Sequence, residues 1–300
     1  MTDLSPDRIA AAVDRIDPTF LGTPQFASER LSARLGREVV VKVETLNPIG
    51  SFKGRGTSLL GQQLDPAGTW VCSTAGNFGQ GVAYAARARG AGAHVFVSPA
   101  VAPTKVASLR ALGAEVDVAE RPDAAARAYA EEGDGRVLIV DGLQPEIAEG
   151  AGTIGVELGA AGPFDTVVVQ VGDGALITGV ACWLKSIAPA TRIVGVCASG
   201  APAMAESFAA GRPVSVEGAG TIATALAITE PIAASVERVI ALVDQIVLVD
   251  DDDLREAMTS IAEAVGVLVE PAGAAGVAAL LRHRDALDGR RVAVLLTGAP

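Results

Sequence analysis

The sequence predicts an α/β protein of two lobes, each a mostly parallel sheet covered by helices. Two observations carry that reading. Short β-branched runs alternate with alanine-rich helical stretches at the spacing of strand–helix–strand units, and such units lay strands in parallel with helices on both faces. A chain of 300 residues with 50% hydrophobic content and 34 glycines is also long and apolar enough for a large core, which at this length splits into lobes.

Composition narrows the function classes. A net charge of -11 without a concentrated basic patch excludes a nucleic-acid or anionic-membrane surface, which leaves small-molecule chemistry. Cys72, Cys182 and Cys197 are odd in number, far apart and set among apolar neighbours, the usage of reduced, buried thiols in a reducing compartment. The first residues, MTDLSPDR, carry no basic region followed by an apolar stretch, and no uncharged run reaches the ~18 residues of a membrane span. The expectation is a cytoplasmic protein with no membrane or nucleic-acid partner.

In chain order, Ser5-Pro6-Asp7 opens a helix. It has a capping hydroxyl, a proline in the first turn and an acid at the positive end of the dipole, followed by apolar Ile9, Val13 and Ile16. Residues 39–44 (VVVKVE) form a β-branched strand. Strands are expected at 70–73, 94–98, 116–119 and 137–140, with helices near 80–89, 103–112 and 124–131. A second alternating block supplies strands at 166–171, 192–196, 245–249 and 291–296. The four acids from Asp250 to Asp253 precede the helical spacing Leu254, Met258, Ile261, so they read as a cap and dipole complement rather than as a metal site.

The chemistry centres on Thr45 to Leu60, TLNPIGSFKGRGTSLL. Asn47, Pro48 and Gly50 break the strand, and Gly54 and Gly56 let the following backbone approach another surface or a cofactor. Lys53, at this strand-to-helix junction, is either a solvated lysine beside a core phenylalanine or an inward lysine. In a poorly solvated site its neutral amine becomes available to condense with an aldehyde. Three more segments follow strands. Ser73-Thr74-Ala75-Gly76-Asn77-Phe78 offers backbone N–H groups and hydroxyls at a helix start, where an anion is favoured, although it also fits an ordinary glycine-rich turn. Gly172-Asp173-Gly174-Ala175-Leu176 is a glycine turn whose amides can cradle a phosphate. It lacks the third glycine of a dinucleotide fingerprint. Glu270-Pro271-Ala272-Gly273 opens a helix, and Thr297 ends the last strand.

NPIGSFKGRG resembles the lysine motif of the fold-type-II pyridoxal-phosphate enzymes, the family of threonine and serine dehydratases, threonine synthase, cysteine synthase and the tryptophan synthase β chain, and is most similar to the dehydratase group. The four segments together span 45–298. The resemblance implies that Lys53 binds pyridoxal 5'-phosphate and acts as catalytic base. It places Asn77 beside the cofactor's phenolic oxygen, Gly172, Asp173, Gly174, Ala175 and Leu176 around its phosphate, Glu270 near its ring and Thr297 on its ring nitrogen. Ser73, Thr74, Ala75, Gly76, Asn77 and Phe78 would line the substrate carboxylate. It further implies a homodimer, a larger cofactor-binding lobe of residues 1–53 and 144–300, and a smaller substrate-closing lobe of residues 54–143.

The activity it implies is β-elimination from a small β-substituted amino acid, giving a 2-oxo acid and ammonia. The alternatives are β-replacement of the cysteine or threonine synthase type, or a non-catalytic family member. The sequence departs from the family pattern at several positions. Phe78 replaces the usual histidine, Asp173 and Ala175 replace two phosphate-loop glycines, and Thr224-Ala225 stands where dehydratases carry Asp-Gly. Asp173 is expected to repel a phosphate unless its side chain turns outward. Residues 197–203 lack the carboxylates of cation-activated members, so no divalent metal is expected. Ala75 stands where serine racemases carry their acidic serine, which implies elimination without racemisation. Only two residues follow Gly298, so no C-terminal regulatory domain is expected.

Overall fold

A computed structural model of the chain describes residues 2–74, 76–284, 286–287 and 289–300. Ala75, expected at the substrate carboxylate, lies outside the described residues. The first five strands are β1 (Gln25–Ala27), β2 (Glu38–Val43), β3 (Thr69–Ser73), β4 (Gly92–Val97) and β5 (Glu115–Val118). The second five are β6 (Arg136–Leu138), β7 (Thr166–Gln170), β8 (Arg192–Ala198), β9 (Gln245–Val249) and β10 (Arg291–Leu296). They form a six-stranded sheet in the order β1-β2-β10-β7-β8-β9 and a four-stranded sheet in the order β5-β4-β3-β6. Every pairing is parallel except β1 with β2. The two-sheet α/β architecture expected from the alternation is what forms.

The six-stranded sheet is apolar on both faces, as a parallel sheet covered on both sides must be. Val39, Val41 and Val43 of β2 join Val292 and Val294 of β10 against Val277 and Leu280 of the helix Pro271–Arg282. The alternate residues Val40, Ala293 and Leu295 point the other way, onto Ile154, Leu158 and Ile177. In the four-stranded sheet Trp70, Cys72, Val95 and Val97 face Val82 and Ala86 of the helix Asn77–Arg89, while Val71 and Phe96 cover Ala126. The strand period of two thus builds two cores from one run of β-branched residues.

Differences from expectation are local. β1 has no counterpart among the expected strands, because a three-residue antiparallel edge strand leaves no period to read. The strand expected at 137–140 ends at Leu138, since the Val140 N–H turns to donate to Gln144 Oε1 at 3.1 Å. Gly56 and Gly150 let the helices Lys53–Gly61 and Pro145–Ala161 meet backbone to backbone; a Cβ on Gly56 would lie 2.5 Å from the Ile147 carbonyl oxygen. The surface that Gly56 admits is therefore another helix, while Gly54 admits the Phe20 ring, which a Cβ there would run into. Asp250 caps the helix Asp251–Val265 in a reciprocal box with Asp253, and Ser5 caps Pro6–Ala12, both as expected. Cys72, Cys182 and Cys197 are free and buried; burial pushes the Cys72 and Cys197 thiols up to about 12 and that of Cys182 to about 11. Among the described residues no helix is long and apolar enough to cross a membrane.

Candidate active site

The lysine turn is built by one asparagine and fastened by the end of β10. Asn47 Nδ2 donates to the carbonyls of Glu44 and Ser51, at 2.8 and 3.1 Å, while its Oδ1 accepts from Ile49 N and Ser51 N, both at 3.2 Å. Gly50 sits at φ +61°, where a side chain is strained. Ser51 bridges Gly298, Phe52 N donates to Thr297 O at 3.2 Å, and Ala299 N donates to Gly50 O at 2.8 Å. Lys53 is the first residue of its helix and points into a cavity of about 740 Å³ that lies among residues of both sheets' connecting loops. Its Nζ lies 4.8 Å from the Phe52 ring centre and 5.5 Å from that of Phe78, and it donates to Asp141 Oδ2.

The expected residues converge on this cavity: Ser73, Thr74, Gly76, Asn77, Phe78, Gly172, Asp173, Gly174, Ala175, Leu176, Glu270 and Thr297 all line it. Asn77 Nδ2 donates to Glu270 Oε1 at 3.1 Å, and Gln80 Nε2 holds Asn77 Oδ1 at 3.2 Å. Gly298 leaves room for this pair, since a Cβ there would run into the Glu270 carboxylate and come within 3.0 Å of Asn77 Nδ2. Burial raises the Glu270 carboxyl above its ordinary value, while Lys105, Lys53 and Asn77 pull the other way. Thr297 Oγ1 accepts from Gln170 Nε2 at 2.6 Å. With one lone pair taken, the Thr297 O–H proton is free to donate into the cavity. Ser73 is placed differently from expectation in one respect, because its hydroxyl is engaged by Asp123.

The glycine turn after β7 leads into the helix Ala175–Ile187, whose N-cap is Gly174 at φ +91°, with no side chain capping the first turn. Those first-turn amides and the positive end of the helix dipole favour an anion. A Cβ on Gly172 would lie 2.5 Å from the Ala225 carbonyl oxygen, so the segment containing the Thr224-Ala225 departure packs directly on this turn. Asp173 does not take the outward turn that would have kept it from repelling a phosphate. Its carboxyl is half-buried in the cavity wall, its Cβ 3.0 Å from where a Cβ on Gly142 would stand. Burial and then Asp141 push its pKa up, against the pull of Lys53, to about 7. A carboxyl that holds its proton near neutrality repels a phosphate far less than a carboxylate does and can donate a hydrogen bond to it.

Sequence reasoning missed Asp141, Gln170 and Lys105. Asp141-Gly142 reads as a plain turn after a short strand, and only the tertiary fold brings it to Lys53. Gln170 looks like the polar end of β7, yet it is buried and donates to Ala272 O and Leu295 O at 3.2 Å as well as to Thr297.

A lysine amine, an uncapped helix start that favours an anion, a hydroxyl free to donate and an amide–carboxyl pair, all around one cavity, define a two-lobed α/β enzyme site for a phosphorylated aromatic aldehyde. A cavity of this size is in the ordinary range for a small-molecule cofactor, and its donors match that group. The chain matches the family model described as "Pyridoxal-phosphate dependent enzyme" over residues 16–298, and it belongs to that family. It is 37% identical to a phenylserine dehydratase of Ralstonia pickettii, over 99% of this chain and 93% of that protein. It is 36% identical to an L-threonine ammonia-lyase of Thermotoga maritima, over 90% of this chain and 69% of that one. Among solved structures, the T.th. threonine deaminase superposes with a TM-score of 0.92 at 33% identity, covering 98% of this chain and 97% of that one.

Proposed function

We propose that this chain catalyses β-elimination from a small β-substituted amino acid, releasing a 2-oxo acid and ammonia, with Lys53 as cofactor-bearing residue and α-proton base. The observation that carries this reading is the Lys53 amine, 4.8 and 5.5 Å from the Phe52 and Phe78 ring centres, in the same cavity as the uncapped start of the helix Ala175–Ile187. Relatives whose names are a phenylserine dehydratase and a threonine ammonia-lyase support the reaction class. Bound at this site, pyridoxal phosphate supplies the electron sink that makes the substrate's α-hydrogen acidic.

The chain's own residues do the rest. The Gly172–Leu176 turn would hold the phosphate through first-turn amides, with Asp173, pushed up to about 7, able to keep a proton beside it. Asn77 would fix the phenolic oxygen, and Thr297 would donate to the ring nitrogen. A hydroxyl donor leaves that nitrogen unprotonated, which favours expulsion of a β-substituent over transamination. The 73–78 loop receives the substrate carboxylate, and the apolar Phe78 ring excludes water beside Lys53. Residues 1–53 and 144–300 form the cofactor lobe, and residues 54–143 the lobe that closes over substrate. The enzyme works as a cytoplasmic homodimer, which light scattering on the purified protein tests.

Borohydride treatment of the cofactor-loaded protein is expected to fix the cofactor on the Lys53 peptide, and Lys53→Ala to lower turnover by about 10⁴-fold or more. Attachment at Lys42, Lys105 or Lys185 defeats the site assignment. A product that incorporates added sulfide, in place of 2-oxo acid, defeats elimination in favour of β-replacement.

A further inference from the structure

Asp141 belongs to none of the segments that pointed to the site, yet it meets the catalytic lysine. It lines the cavity just after β6, and its Oδ2 accepts from Lys53 Nζ. Its other oxygen, Oδ1, is buried with no hydrogen-bond partner. Both side chains are largely shielded, 16% exposed for Lys53 and 14% for Asp141. A buried carboxyl oxygen normally has a donor or carries a proton that it donates. Here one oxygen is committed to the base and the other is left uncommitted. Whatever Nζ touches lies within two contact distances of Asp141 Oδ2, roughly 6 Å, so the carboxyl borders the space that a substrate whose α-hydrogen Lys53 removes must occupy. Asp141 also shares its pocket with Asp173 and Asp123.

We propose that Asp141 is the general acid of the elimination, relaying the proton that Lys53 takes from Cα to the oxygen that leaves Cβ. This rests on the elimination reading above. The Cα–H bond breaks and its proton goes to Nζ; the electron pair forms the Cα–Cβ double bond while the Cβ–O bond breaks and its pair departs with oxygen. As the oxygen departs, Asp141 Oδ2 takes the proton from Nζ, and the carboxyl hands it on to that oxygen. Water leaves, the pair holds as many protons as it began with, and no outside acid is needed.

The test uses leaving groups that differ in their need for a proton. Hydroxide must be protonated to leave, whereas chloride need not be. In the holoenzyme, kcat/KM for serine or threonine, whichever the wild type turns over faster, is compared with that for β-chloroalanine of the same configuration. Asp141→Asn is expected to lose about 10²-fold or more on the hydroxy acid beyond whatever it loses on β-chloroalanine. Asp141→Glu, which keeps the acid, holds the ratio of the two substrates within about tenfold of wild type. Equal losses on both substrates overturn the relay and leave Asp141 as a positioning residue for Lys53, with elimination intact. A wild type that eliminates from neither substrate overturns the elimination reading itself, and the relay with it.

A binding measurement decides without turnover. In cofactor-loaded Lys53→Ala, calorimetric titration is expected to show serine bound more tightly than alanine, and Lys53→Ala/Asp141→Ala to lose about fivefold of that preference. The same preference in both variants overturns the contact between Asp141 and the β-hydroxyl.

Discussion

Lys53 and Arg55 stand two residues apart on one helix and meet opposite surroundings. Arg55 and Glu44 are both 0% exposed, and the guanidinium is fully matched. It donates to both Glu44 carboxylate oxygens at 2.8 Å, to Thr153 at 3.0 Å and to Glu157 at 2.7 Å, while Lys42 closes the cluster on Glu157. Burial works against its charge, but Glu44 and Glu157 more than offset that and raise its pKa. Around Lys53 the charges are incompletely matched: Asp141 Oδ1 has no partner, Asp173 is pushed up to about 7, and Glu270 is raised by its burial. The first cluster fixes a shape. The second holds groups poised to accept or give protons, and groups left in that condition are the ones chemistry can use.

The comparison breaks most sharply at Arg55. Arg55→Met leaves Glu44 buried without its cation and is expected to cost about 3–5 kcal/mol, read as a drop in the urea midpoint. Glu157→Gln removes a partly exposed acid but keeps a neutral acceptor for Arg55 and for the buried Lys42, which also donates to Thr23 O at 2.7 Å, while Arg55 keeps Glu44, so about 1–3 kcal/mol is expected in the same measurement.

Asp173 gives the pH signature of the poised cluster. Its folded pKa lies above the ordinary carboxyl value, so between about pH 4 and pH 7 the folded protein binds a proton that the unfolded chain has released. Stability from this group is therefore full below pH 4 and lost as pH rises through 7. Asp173→Asn is expected to stabilise the cofactor-free protein at pH 8 by on the order of 1 kcal/mol, and not at pH 4. Thermal melts at the two pH values check it, and equal shifts at both would remove the titration. The smallest effect falls on Lys53 itself: Lys53→Met leaves Asp141 without its cation, but both side chains line the cavity and keep 16% and 14% exposure, so a loss of about 1 kcal/mol or less is expected in the cofactor-free protein, although turnover is lost. A loss as large as that for Arg55→Met would erase the distinction between the two clusters.

Much of this was legible in the chain. The β-branched strands were readable because alternate residues face two buried layers, and the lysine, asparagine-loop, glycine-turn and Glu270 segments were readable because each joins a strand end to a helix start. What escaped was what only contact supplies. A three-residue edge strand has no period, Asp141 looks like any residue of an Asp-Gly turn, and Arg55 reads as one more surface cation of a helix. Nothing local distinguishes it from Arg87, yet the fold encloses it with Glu44 across the turn. Asp173 was legible as an anomaly but not as a solution, because its protonation depends on Asp141 and Asp123, which arrive from other loops.

The fastening of the lysine turn to β10 has a consequence for how the molecule comes into being. β10 lies between β2 and β7, and Thr297, Gly298 and Ala299 bond the backbone on either side of Ser51. A growing chain carries Lys53 long before it carries the strand that shapes the turn around it. Contacts of such wide sequence separation form late. The setting of Lys53 is thus completed only when the central strand slots into place, so a half-made chain has the residue without the turn that holds it.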